Sequence, residues 1–164
     1  MKVFRVIADS SSLIGLAQIG QFELPKELFA EIYIPESVYD EVVIEGKGEP
    51  GAGETEKAVH SGWMMKRTVS DRLAVQALSS TLGEGESEVI ILYNELKLDY
   101  AIIDERTARN MAELMGVSII GVIGLLDLAI ARGFKLDKKA LVDRLISAGF
   151  RISKKLYRRM FPGS

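Results

Sequence analysis

The chain has no cysteine and a single histidine among its 164 residues, and these two shortages remove several chemistries at once. Without cysteine there is no disulfide, no thiolate metal site and no cysteine nucleophile. His60 would have to serve any Ser-His-Asp triad, yet it stands in the polar stretch Glu54 to Ser61 with no nucleophile-elbow pattern nearby, so it reads as a surface residue. Any bound metal must therefore be held by oxygen, which favours Mg²⁺ or Mn²⁺ over zinc. Long apolar runs are missing too: charged residues interrupt each one, and no segment approaches the ~20 apolar residues that span a bilayer. The apolar part of Met1 to Asp9 is too short for a signal peptide and reads as a first strand. The expectation is a cytoplasmic protein with no membrane association.

What is present suits a single core. A hydrophobic fraction of 48% over this length is ample for one domain spanning residues 1–164, without a flexible linker. The formal charge of −2 hides a segregation: residues 1–127 carry 11 Lys and Arg against 21 Asp and Glu, whereas residues 128–164 carry 10 against 2. A basic helical segment at about 135–162 thus follows an acidic body. Such asymmetry points to a polyanionic partner, although a solvated helical surface balancing the acidic body accounts for the charge equally well.

Short apolar runs alternate with helical patterns. Val3 to Ala8, Glu31 to Ile34, Trp63 to Val69, Tyr100 to Ile103 and Val117 to Ile120 read as strands. Between them, helices are expected over Leu13 to Ile19, Pro25 to Leu28, Pro35 to about Ile44, Glu54 to Ser61, Asp71 to Ser79, Glu84 to Leu96 and Thr107 to Met115. Three more helices, from Ile123 to Ala131, Lys139 to Ala148 and Ser153 to Met160, close the chain. Glu45 to Gly53, with four glycines and Pro50, reads as a mobile loop. This order predicts an α/β fold, a parallel sheet covered on both faces. Leu125, Leu126 and Leu128 suit either a self-association surface or the core.

Parallel strands put their C-terminal ends on one rim, so Asp9 and Asp104, each following a strand and preceding a helix, would face one crevice. Clustered carboxylates repel and raise one another's pKa, and a hard divalent cation relieves this. Each acid also has a plainer explanation. Asp9 and Asp104 suit simple helix caps, and Glu41 suits an ordinary border position on an amphipathic helix. Glu86 and Glu88 flank opposite sides of the stripe Val89, Leu92, Tyr93 and Leu96, so both cannot enter one crevice, and with Glu84 they also complement a helix N-terminus. Glu105 is expected to be solvated, and Arg109 to pair with an acid in the preceding turn.

Taken together, Ala8-Asp9-Ser10-Ser11-Ser12-Leu13-Ile14, Ile34-Pro35-Glu36-Ser37-Val38-Tyr39-Asp40-Glu41-Val42, Gly85-Glu86-Ser87-Glu88-Val89-Ile90, Ile103-Asp104-Glu105-Arg106-Thr107-Ala108-Arg109 and Ala148-Gly149-Phe150-Arg151-Ile152-Ser153 resemble the PIN-domain family of metal-dependent nucleases. The match covers nearly the whole chain and is nearest to an uncharacterised prokaryotic subgroup related to the VapC-type toxins. The resemblance implies a three-layer α/β/α sandwich with a central parallel sheet. It implies metal-ligating or catalytic acids at Asp9, Glu41, Glu88 (with Glu86 as rival) and Asp104, and a supporting hydroxyl at Ser11. The third acid is Glu where many members have Asp, and apolar Ile102 and Ile103 replace the usual Thr or Ser before the last acid.

The activity implied is Mg²⁺- or Mn²⁺-dependent hydrolysis of phosphodiester bonds, most of all in RNA. The cationic stripe Arg151, Lys154, Lys155, Arg158 and Arg159 is then expected to hold the nucleic-acid backbone. The alternatives are a PIN fold that binds nucleic acid or a partner without turnover, and the toxin component of a toxin–antitoxin pair, regulated by an antitoxin protein. A homodimer is expected from the family. A receiver-type phosphoacceptor would need a lysine after a later strand, where Gly121-Val122 stands instead.

Overall fold

The computed structural model describes residues 2–163; Met1 and Ser164, the two ends of the expected domain, lie outside the described residues. The chain runs β1 (Arg5–Ala8), α1 (Ser10–Gln18), α2 (Leu24–Leu28), β2 (Glu31–Pro35), α3 (Glu36–Tyr39) with a π-helical continuation (Asp40–Glu45), α4 (Ala52–His60), β3 (Met64–Arg67), α5 (Arg72–Leu78) and α6 (Glu84–Glu95). It continues through β4 (Tyr100–Ile102), α7 (Arg106–Leu114), β5 (Ile119–Ile120), α8 (Val122–Ala131), α9 (Lys138–Ser147) and α10 (Lys154–Met160).

All five strands are parallel, in the order β3-β2-β1-β4-β5. The order reverses between β1 and β4, where chain connections leave in opposite directions and open a crevice at the carboxyl edge. The register sets its depth: Ala8 pairs with Ile102, so the two chains leave the sheet side by side, tied once more by Asp9 N–H donating to Ile102 O at 3.0 Å.

Burial on both faces explains why these strands are unbroken apolar runs rather than alternating ones. Val6, Ile7, Ala8, Ile34, Ala101 and Ile102 are all at or below 1% exposure. Helix α6 packs against β1, β2 and β4, with α5 and α7 beside it, and is buried almost all round through Val89, Ile90, Ile91 and Leu92. On the other side α1 contacts α4, α8 and α9, completing the α/β/α sandwich. Among the described residues no helix is long and apolar enough to cross a membrane.

Three readings gain detail. Between the helix ending at Glu45 and α4 the chain makes turns, with Glu49 N–H donating to Gly46 O at 2.9 Å and Gly51 buried where a Cβ would lie 3.5 Å from Ile14 and Val42. Of the two readings open for Leu125, Leu126 and Leu128, core burial holds for Leu125 and Leu126, and Leu128 is partly buried against the core. The helix expected from Pro35 to about Ile44 is present but widens at Asp40, with Val42 and Val43 both buried. Gly46 closes it, because a Cβ there would meet Val42 O at 2.5 Å.

Candidate active site

Asp9 caps α1, its Oδ1 accepting the Ser12 N–H at 2.8 Å, so the plain cap reading is correct as far as it goes. A cap alone needs no burial, yet Asp9 is 2% exposed and its Oδ2 faces the Asp104 N–H at 3.4 Å. Burial, with the Asp104 charge added and Ser12 partly offsetting both, pushes the Asp9 carboxyl up to about 7. No Lys or Arg pairs with it among the described residues.

Asp104 does not cap the helix that follows it. Glu105 takes that place, accepting the Ala108 N–H at 2.7 Å, and is half-buried rather than solvated. Asp104 turns instead to the head of α8, where Val122 N–H lies 3.1 and 3.2 Å from its two oxygens. Gly121 makes this possible, since a Cβ there would stand 2.8 Å from both Asp104 Oδ1 and Arg109 Nη1. Burial raises the Asp104 carboxyl above the usual range, while Ser12, Val122 and the Arg109 charge hold it back. Arg109 is not simply paired with an acid: its Nη1 donates to Ile103 O at 2.9 Å.

The serines after Asp9 tie the acids together. Ser12 Oγ donates to Asp104 Oδ2 at 2.8 Å, and Ser10 Oγ donates to Glu41 Oε1. Ser11, the hydroxyl expected to matter, is exposed on the crevice lining, whereas its two neighbours make the bonds.

The remaining acids arrive from the other helices. Glu41, from the π-helical stretch, lines the crevice but is exposed rather than partly buried. Glu45 joins it one turn on, a residue the sequence patterns did not single out. Glu86 also lines the crevice and accepts the Gly83 N–H at 3.0 Å. Burial first, then the charges of Glu105 and Glu41, hold the Glu86 carboxyl above its ordinary value. Glu88 lies behind the lining, 3% exposed, with Ser37 Oγ at 2.6 Å and Arg72 Nη1 at 2.7 Å on its oxygens.

The resulting crevice of about 310 Å³ is lined by Asp9, Glu41, Glu45, Glu84 and Glu86 together with serines and glycines, and by no basic residue. Among the described residues no three acidic or histidine side chains form a ready-made metal ligand set. Arg151, Lys154, Lys155, Arg158 and Arg159 are exposed and enter none of the ion pairs found.

Comparison with known proteins agrees with this architecture. A PilT N-terminus domain protein from the hyperthermophilic archaeon Sulfolobus solfataricus P2 superposes with a TM-score of 0.57 at 19% identity, covering 80% of this chain and 96% of that one. No curated protein sequence matches the chain. A family model described as a PIN domain matches residues 5–162, and with nearly the whole sequence inside that match, the chain belongs to the PIN-domain family.

Proposed function

We propose that this chain is a metal-dependent nuclease that hydrolyses RNA phosphodiesters at the acidic crevice lined by Asp9, with Asp104 next to Asp9 but outside the lining. One observation carries the proposal. Two carboxylates from the ends of adjacent parallel strands stand side by side, Asp9 buried and Asp104 half-buried, both held above their usual range, with no Lys or Arg paired with Asp9 among the described residues. Such a pair is costly by itself and is relieved by a hard cation.

The donor set fits Mg²⁺ or Mn²⁺, being entirely oxygen. Few direct protein ligands suffice for an ion that keeps several waters, which agrees with the absence of a three-acid cluster among the described residues. Asp9 and Asp104 would hold the ion, and Glu41 and Glu86 would complete or orient its shell. When bound, a divalent cation supplies charge that acidifies water and offsets the negative charge developing on a phosphoryl group. Ser12 fixes the Asp9–Asp104 pair by bonding to both, Ser10 aims Glu41, and the Val122 N–H at the start of α8 supports Asp104. Glu88 then serves as the anchor of Ser37 and Arg72 rather than as a ligand.

The exposed cations of α10 and Arg151 would hold the nucleic-acid backbone outside the crevice. A regulating antitoxin-like protein would act by covering the same acidic edge. The second reading, a PIN fold that binds RNA without turnover, is favoured by the engagement of Glu88 away from the crevice.

The test is cleavage of single-stranded and structured RNA in Mn²⁺ by wild type, Asp9→Asn, Glu86→Gln and Glu88→Gln. Loss of at least ~100-fold is expected for Asp9→Asn and a smaller loss for Glu86→Gln, with Glu88→Gln retaining activity in proportion to its folded fraction. Equal cleavage by wild type and Asp9→Asn would mark a contaminant and reject the proposal.

A further inference from the structure

Substrate phosphates entering the crevice meet no cation on its lining, which is acidic throughout. Among the described residues, one guanidinium is bonded to an acid of that lining. Arg72, the first residue of α5, is exposed and bonded to two carboxylates of very different character. Its Nη1 donates to Glu88 Oε2 at 2.7 Å, and its Nη2 to Glu84 Oε1 at 3.3 Å. The Glu88 side chain is 4% exposed, and its other oxygen is fixed by Ser37 Oγ at 2.6 Å and, more weakly, Ser37 N–H at 3.3 Å. The Glu84 side chain is 65% exposed and lines the crevice.

We infer that Arg72 is the phosphate-binding residue of this crevice, aimed by the buried Glu88 and covered in the free protein by Glu84, which yields it to a nucleic-acid phosphate. The substrate class rests on the nuclease function proposed above. The geometry supplies the rest. A guanidinium presents its donors as a rigid planar fork, so a carboxylate fixed on one side determines where the other donors point. An exposed ion pair is weak, typically 0.2–1 kcal/mol, and readily exchanged. A phosphate engaging two N–H groups at once makes a stronger, charge-assisted contact. Glu84 and Glu88 are one turn apart on α6, so the holding and the covering carboxylate meet Arg72 from the same helix face. Ser37, which Glu88 also grips, lines the crevice alongside Glu84, so the anchored end of Arg72 is two hydrogen bonds, through Glu88, from the site.

The experiment is fluorescence anisotropy of a labelled single-stranded oligoribonucleotide in EDTA, titrated at several salt concentrations. Glu84→Gln is expected to tighten binding by about two- to tenfold, and Arg72→Gln to weaken it while reducing the slope of log K against log salt by about 0.7, one phosphate contact on a single strand. Arg72→Gln deprives Glu88 of its partner, so Arg72→Lys is measured beside it; this variant keeps the charge but lacks the fork, and should weaken binding several-fold at unchanged slope. The gain from Glu84→Gln should vanish in the Arg72→Lys background. RNA binding by wild type that neither Arg72 variant alters, or an equal Glu84→Gln gain in both backgrounds, overturns the inference and leaves the nuclease proposal standing. Wild type that binds no RNA removes both.

Discussion

At the scale of single residues the protein keeps an unusual acid. Asp9 binds its proton in the folded chain at about 7, against an ordinary value of 3.8, because burial and Asp104 penalise the charged form more than Ser12 favours it. The folded state therefore binds more protons than the unfolded state between these values. The contribution of Asp9 to stability is greatest below the lower pKa and is lost as pH rises through the upper one, at up to about 1.4 kcal/mol per pH unit. Asp9→Asn removes this dependence while leaving an acceptor for Ser12 N–H. Melting of both proteins in EDTA between about pH 4.5 and 8.5 should show the variant gaining on wild type as pH rises, and added Mn²⁺ should restore wild type alone; parallel curves would contradict it. Asp9 and Asp104 could be placed at one edge from the sequence because each follows a strand, whereas Glu41, read as a partly buried border acid of the helix after Pro35, lines the crevice as an exposed residue. Which of Glu86 and Glu88 lines the crevice could not be read, since Glu88 is held by Ser37 and by Arg72, which reaches it from a separate helix. Ser10 and Ser12 were obscured by their equivalence to Ser11 in a turn of three hydroxyls, where only the positions of Glu41 and Asp104 decide which one bonds.

At the scale of elements the strands and most helix limits could be read from apolar runs and caps, and Asp71, Asp137 and Ser153 each cap the helix expected near them. The π-helical stretch could not, because Val38, Val42 and Val43 also suit an ordinary helix, and only the close approach of Gly46 to the Val42 carbonyl marks the wider turn. Also hidden was how the C-terminal segment docks. It packs on α1 through Phe150, whose Cζ would lie 2.4 Å from a Cβ at Gly15. Two effects oppose each other if Gly15 becomes Ala. Replacing glycine inside a helix stabilises by roughly 1 kcal/mol, and forcing the Phe150 ring aside costs roughly 1–3 kcal/mol. The packing cost should win, so Gly15→Ala should lower the melting temperature, yet the same substitution should raise it in a Phe150→Ala background. Additive effects of the two changes in denaturant unfolding would show that Phe150 does not rest on Gly15.

At the scale of the whole molecule, charge is sorted by position in the chain and then by position in the fold. The acidic body builds the crevice, and the last 37 residues add 10 basic side chains against 2 acidic ones on α9, α10 and the segments flanking them. Helix α10 is held to α9 by Tyr157 Oη donating to Asp143 Oδ1 at 2.7 Å, and started by the Ser153 cap, so its cations project from an anchored element rather than a free tail. Anchoring matters because a positioned stripe can follow a strand of phosphates, whereas the acidic crevice by itself would repel it. If Lys154, Lys155, Arg158 and Arg159 each meet one phosphate of a single-stranded RNA, their replacement by Glu should remove about 2.8 from the salt slope, at ~0.7 per contact. The loss in affinity should be the same for oligonucleotides of different sequence, because backbone contacts carry no sequence information. It should also add to the effect of Arg72→Gln, since that residue is bonded to an acid of the crevice lining and α10 is held to α9. A charge-reversed α10 that leaves both affinity and salt slope unchanged would confine RNA contact to the crevice and reduce the basic segment to a solvated counterweight.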